Sequence, residues 1–177
     1  MKSNNSVRTI FITAILLTGI MGFSCVSTFT GGGLGSMEFD APVEEVFAYM
    51  TTPENEERCN PIVSIDKVEG KGLGMHVNYT VNHTNGKVVK GETLYVDYVP
   101  NQRIVTVSSG DGGVNVQRMT AIFNEPEEGK TTVTIFVEGS MAVPMASKGL
   151  YRSQLGKTKV WMEELAECAR EDIENSR

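Results

Sequence analysis

From Val143 to Asn175 the chain has the spacing of one long amphipathic helix. At 3.6 residues per turn, Leu155, Thr158, Met162, Leu165, Ala169 and Ile173 return to the side of Tyr151, while Glu163, Glu167, Arg170 and Glu171 turn away. A helix of about thirty residues is about 45 Å long. A face that long needs a broad apolar partner, and nearly everything before it reads as strand. The combination restricts the chain to an α+β fold in which a curved antiparallel sheet wraps the terminal helix.

From Pro61 onward the hydrophobic period is two. Candidate strands are Ile62 to Glu69, Met75 to His83, Val88 to Val99, Arg103 to Ser108, Gly113 to Asn124 and Thr131 to Gly139. Turn residues separate them at Gly70 to Gly74, Asn85-Gly86, Pro100-Asn101, Gly110 to Gly113 and Glu127 to Gly129. Such short connections predict a meander, with Asn85-Gly86 as a two-residue hairpin turn. Before it, Met37 to Asp40 reads as a short strand followed by two short helices. Pro42 and Pro53 each suit a first helical turn, Thr52 is placed as a cap, and Val43, Val46, Phe47 and Met50 form one buried face.

The start of the chain is of another kind. Lys2 and Arg8 precede an apolar run from Ile10 to Phe23, too short for a bilayer span of about 20 residues but suited to export. Gly22-Phe23-Ser24-Cys25 is similar to a bacterial lipoprotein site with Cys25 as the lipidated residue, although Gly22 and Phe23 depart from the pattern. Residues 1–25 are therefore read as a signal peptide, lipoprotein signal or membrane anchor, and 26–35 as a glycine-rich linker. The expected location is exported and membrane-anchored, or cytoplasmic if translation starts later, for instance at Met37. Beyond residue 37 the chain holds 14 basic against 22 acidic residues, a balance that argues against nucleic acid as a partner.

A family resemblance rests on a set of short motifs in order. They are Asp40-Ala41-Pro42-x-Glu44-x-Val46-Phe47, Asn60-Pro61 before a strand, Gly70-x-Gly72-x-Gly74, Pro100-x-x-Arg103-Ile104-Val105, Gly129-Lys130-Thr131-x-Val133 and a closing helix. Residues 36–177 with these motifs resemble the START-like or SRPBCC superfamily of polyketide cyclases, pollen allergens and lipid-transport domains. The resemblance implies a helix-grip fold: about seven antiparallel strands around the terminal helix, two short helices after the first strand, and a ligand cavity between sheet and helix. Where that family often has Trp before Asn-Pro, this chain has Cys59.

Alternation divides the strand faces. Met75, Val77, Tyr79 and Val81 form one apolar stripe, Leu94, Val96 and Tyr98 a second, and Val133, Ile135 and Val137 a third. Asn115 and Gln117 share a face with Met119, Ala121 and Phe123, which suggests either a pocket mouth or a frayed strand end. The candidate ligand-binding residues are Met75, Val77, Tyr79, Val96, Tyr98, Gln117, Met119, Val133, Ile135, Tyr151, Leu155 and Met162. His76 and His83 fall on opposite faces of a regular strand, so neither a metal site nor a cofactor is expected. Cys59 and Cys168 either pair, if the second short helix meets the end of the terminal one, or stay as free thiols. The expected partner is a hydrophobic small molecule such as a lipid, quinone or polyketide. The alternatives are a cyclase or dehydratase-like enzyme, with Tyr79, Tyr98, Tyr151 and Arg103 as the only candidate groups, and an envelope protein-interaction domain.

Overall fold

The computed structural model describes residues 26–110, 115–144 and 164–176. Strand β1 (Val26–Phe39) leads into helices α1 (Val43–Met50) and α2 (Pro53–Cys59). Strands β2 (Val63–Glu69), β3 (His76–Asn82), β4 (Val88–Val99), β5 (Arg103–Gly110), β6 (Asn115–Glu127) and β7 (Lys130–Pro144) follow, and helix α3 (164–175) closes the chain. The strands form one open antiparallel sheet in the order β1-β7-β6-β5-β4-β3-β2. This is the expected α+β architecture, a meander from β2 to β7 in which β7 pairs back onto β1, with two short helices after the first strand.

Local chemistry explains most boundaries. Pro42 and Pro53 occupy the helix starts where a missing N–H costs nothing, and Glu44, Glu45, Glu54 and Glu56 lie near the positive ends of the two helix dipoles. Thr52 stands at the cap position of α2, yet its hydroxyl donates to the Ala48 carbonyl (2.9 Å) and caps nothing. The β3–β4 connection also differs from expectation. Gly86 N–H donates to the His83 carbonyl (2.9 Å) and His83 N–H to the Lys87 carbonyl (2.8 Å), with Gly86 at φ +81°. Asn85 therefore keeps a negative φ, and the loop is a four-residue turn ending in a left-handed glycine, where the expectation was a two-residue turn.

Two larger corrections concern the ends of the sheet. The glycine-rich stretch expected as a linker lies within β1, paired from Val26↔Pro144 to Phe39↔Thr131 with β7. Val143 and Pro144, expected to open the terminal helix, are the last residues of β7. An exposed edge strand offers unpaired N–H and C=O groups along its whole length, and the glycine backbone satisfies those of β7 without needing side-chain alternation. Residues 1–25, with the expected export signal and Cys25, lie outside the described residues. Among the described residues no helix is long and apolar enough to cross a membrane.

The core sits on one face of the sheet. Phe39, Val46, Phe47, Ile104, Ala121, Phe123, Val133, Ala169 and Ile173 are all buried in one cluster, so α1 and α3 cover the same end of the sheet. Phe47 packs edge-on against Tyr98 and Phe123, with centroids at 5.2 and 4.9 Å. Thr131, 1% exposed, donates its hydroxyl to the Ala41 carbonyl at 2.7 Å, which ties β7 to the entry of α1. Arg170 Nε donates to the Glu38 carbonyl at 2.9 Å, joining α3 to β1.

A covalent clasp completes this end. Cys59 at the end of α2 and Cys168 on α3 form a disulfide with Cα atoms 5.7 Å apart, across 109 residues of sequence. Beside it, Asp172 accepts a hydrogen bond from the Tyr49 hydroxyl (2.5 Å) and pairs with Arg58 (2.5 Å). Burial and the Asp172 carboxylate together push the Tyr49 phenol above its ordinary 10.0. Cys59, Cys168 and Asp172 lie close enough to suggest metal ligands, but both sulfurs are spent on the disulfide.

Candidate functional site

Strand register turns the inward face of the sheet into successive rows. One row runs Tyr98, Ile104, Ala121, Ile135, and the next Tyr95, Thr106, Met119, Val137. Beyond these the side chains shrink and become polar: Thr93, Ser108, Gln117 and Gly139, then Gly91 and Gly110. The core cluster takes up the first rows but not the last ones. Thr93 and Ser108 are half-buried and share a hydrogen bond of 2.8 Å, and Gln117 remains exposed.

The expected site residues distribute over this face unevenly. Met75, Val77, Val133 and Ile135 are buried core. Tyr79, Tyr98 and Met119 are half-buried and face inward, and Gln117 stands on their face at its polar end, as its alternation with Met119 suggested. Val96 does not belong to the set. A bulge in β4 between Tyr95 and Asp97 places Val96 and Asp97 together opposite Val105 on the outer face, where Val96 is 42% exposed. The expected stripe of Leu94, Val96 and Tyr98 is thereby broken, because Leu94 is outward too and Tyr95, 8% exposed, takes the inward place. Tyr151, Leu155 and Met162 lie outside the described residues.

Tyr79 and Gly91 face each other across β3 and β4. A Cβ at Gly91 would run into the Tyr79 ring and lie 2.7 Å from the Ser109 carbonyl oxygen, a backbone atom that cannot swing aside. Gly91→Ala is therefore expected to cost about 1–3 kcal/mol in urea unfolding. An unchanged midpoint would show that Tyr79 does not lie over this glycine.

Sequence reading missed Glu56. It is one of four charged residues in the α2 sequence Pro-Glu-Asn-Glu-Glu-Arg-Cys, and no pattern distinguishes it from Glu54 or Glu57. By surface area Glu56 is exposed, and partial loss of hydration raises its carboxyl above its ordinary 4.5. Its charge reaches two phenols on the inward face. Burial first and Glu56 second raise both Tyr79 and Tyr95 above 10.0, Tyr95 by far the more.

The raised carboxyl has a consequence for stability. The folded chain holds the Glu56 proton at pH values where the unfolded chain has released it, so stability falls as pH rises from about 4.5 through the raised value. Because the residue is exposed, Glu56→Gln is expected to raise the thermal midpoint only slightly, by about a degree, at about pH 7 and not at about pH 4. The same shift at both pH values would contradict a desolvated carboxylate.

Comparison with known families bears on what this face is for. Residues 40–169 match the profile of the Activator of Hsp90 ATPase homolog 1-like protein family, well over half of the 177 residues. The chain belongs to that family. The assignment agrees with the SRPBCC resemblance carried by the Asp40-Ala41-Pro42 and Asn60-Pro61 motifs. A search of curated proteins finds no match. Among solved structures, a protein from Rhizobium leguminosarum is 19% identical with a TM-score of 0.66, covering 82% of this chain and 98% of its own. A protein from Thermus thermophilus is 18% identical with a TM-score of 0.64, covering 82% and 99%. The di-domain ARO/CYC BexL from the BE-7585A biosynthetic pathway is 16% identical with a TM-score of 0.61, covering 80% of this chain and 49% of its own. At these identities the likeness is one of fold, and these structures share the sheet and helix arrangement described above.

Proposed function

We propose that this family member binds a hydrophobic small molecule between the inward face of the sheet and the terminal helix. One observation carries the reading: the core fills only the rows from Phe123 to Tyr95, while the next row on the same face has the short side chains of Thr93 and Ser108 beside Gly139, and the Tyr79 ring over Gly91 bounds it. Short side chains on an inward face leave volume for a guest. Met119, Val137 and Tyr79 flank it with apolar surface, and desolvation of an apolar body supplies the affinity. SRPBCC membership and the likeness to an ARO/CYC structure support the same reading.

A fluorescent apolar dye tests it. Saturable one-to-one binding to the intact protein, weakened more than about tenfold by Ser108→Phe with an unchanged thermal midpoint, is the expected result. Dye binding indifferent to a ring placed at position 108 would contradict it. The two inward-facing phenols, Tyr79 and Tyr95, favour a second reading, proton transfer in a cyclase or dehydratase-like reaction. Turnover of a polyketide-type substrate lost in Tyr79→Phe would bring that reading forward.

A further inference from the structure

We propose that reduction of the Cys59–Cys168 disulfide opens a zinc site whose protein ligands are the two cysteine thiolates and the Asp172 carboxylate, with water in the fourth position. The inference is independent of the ligand-binding reading above. The sulfurs of Cys59 and Cys168 and a carboxylate oxygen of Asp172 lie within 4.8 Å of one another, and all three residues are half-buried. Cys168 and Asp172 stand four residues apart on α3 and so share one face of the helix, and Cys59 meets them from the end of α2. Asp172 Oδ2 is 3.8 Å from Cys59 Sγ. In a tetrahedral zinc site, with bonds of about 2.3 Å to sulfur and about 2.1 Å to oxygen, such a pair stands about 3.6 Å apart and two sulfurs about 3.8 Å apart. The carboxylate is thus already in place. The sulfurs, carried on Cα atoms 5.7 Å apart, reach their separation by side-chain rotation once the bond between them is gone.

The surroundings suit such an ion. The Tyr49 hydroxyl and the Arg58 guanidinium both hold the Asp172 carboxylate, as outer partners orient a ligating carboxylate in metal sites, and an ionised carboxylate has lone pairs to spare for the metal. Two thiolates and one carboxylate bring three negative charges, which zinc and Arg58 together balance. Soft thiolate ligands select zinc over magnesium or calcium. A dithiol reductant supplies two electrons and two protons, closes to its own disulfide and leaves two thiols on the chain. Zinc then releases both thiol protons to solvent. The clasp between α2 and α3 is covalent under oxidising conditions and metal-bridged under reducing ones.

The test uses the full chain with Cys25→Ser, in which Cys59 and Cys168 supply the only thiols. It is reduced with a phosphine, which leaves as its oxide with an oxygen from water, and desalted under nitrogen. Cobalt(II) is expected to bind one equivalent with a thiolate-to-metal charge-transfer band in the near ultraviolet. One equivalent of zinc is expected to abolish the band, with a Kd of about 1 μM or below. Zinc should also raise the thermal midpoint of the reduced chain by about 5 °C, while the oxidised chain shows neither band nor shift. Asp172→Asn is expected to weaken zinc about tenfold or more, and Asp172→His, which offers another zinc ligand at the same place, to keep most of the affinity. No band in a reduced chain that still melts cooperatively overturns the proposal. So does an equal band in the oxidised chain, or zinc binding by Asp172→Asn as tight as by the parent.

Discussion

Phe47→Ala is expected to lower stability by about 3–5 kcal/mol, the usual cost of removing a large buried aromatic. Phe47 is 3% exposed and, among the described residues, is the side chain of α1 that touches rings on both β4 and β6, through Tyr98 and Phe123. Neither neighbour can collapse into the space, because Tyr98 is held on its other side against Gly72 and Phe123 against the wall of the core. The loss is read from the urea midpoint at constant slope. Val46→Ala, in the same helix and fully buried, should cost less because the volume removed is smaller. A loss below about 1 kcal/mol for Phe47→Ala would mean that α1 does not seal the sheet as described.

Loss of the Cys59–Cys168 disulfide has the second large effect. The bond closes 109 residues, nearly the whole sheet, so its removal frees the unfolded chain more than a short loop would. Replacing both cysteines by Ala should cost about 2–5 kcal/mol and lower the thermal midpoint by on the order of 10 °C for a chain of this size. Reduction of the wild type should reproduce the shift. Tyr49, Arg58 and Asp172 keep α1, α2 and α3 together after reduction, so the fold itself survives with a lower midpoint. An equal midpoint with and without reductant would show that the two helices are held by packing alone.

The parts of the fold that could be read from the sequence are those where a local pattern and the tertiary contacts agree. Val88 to Val99 was legible as a strand to the residue, and Met75, Val77 and Tyr79 as its neighbour's inward stripe, because burial on one face imposes a period of two. The period failed at Val96, where one added residue reverses inside and outside and leaves no mark in composition. Gly31 to Gly35 misled for the opposite reason, since glycine has no side chain with which to record a strand. Cys59 and Cys168 were visible as a possible pair, but only the meeting of α2 with α3 decides it.

Of the candidate site, the apolar floor and Gln117 at its polar end were therefore legible, and the residues set by neighbouring strands were not. Tyr79, Met119 and Gln117 follow from alternation within their own strands. Tyr95 was hidden by the bulge, and the small residues Gly91 and Ser108 gain meaning only from the strands beside them.

The central claim is that the inward face of the sheet holds an apolar molecule. Native mass spectrometry of the intact chain, purified without detergent and measured before and after denaturation, tests it most directly. The account expects excess mass that is lost on denaturation and belongs to one class of apolar compound. A clean protein mass, with no uptake when such compounds are added, would contradict it.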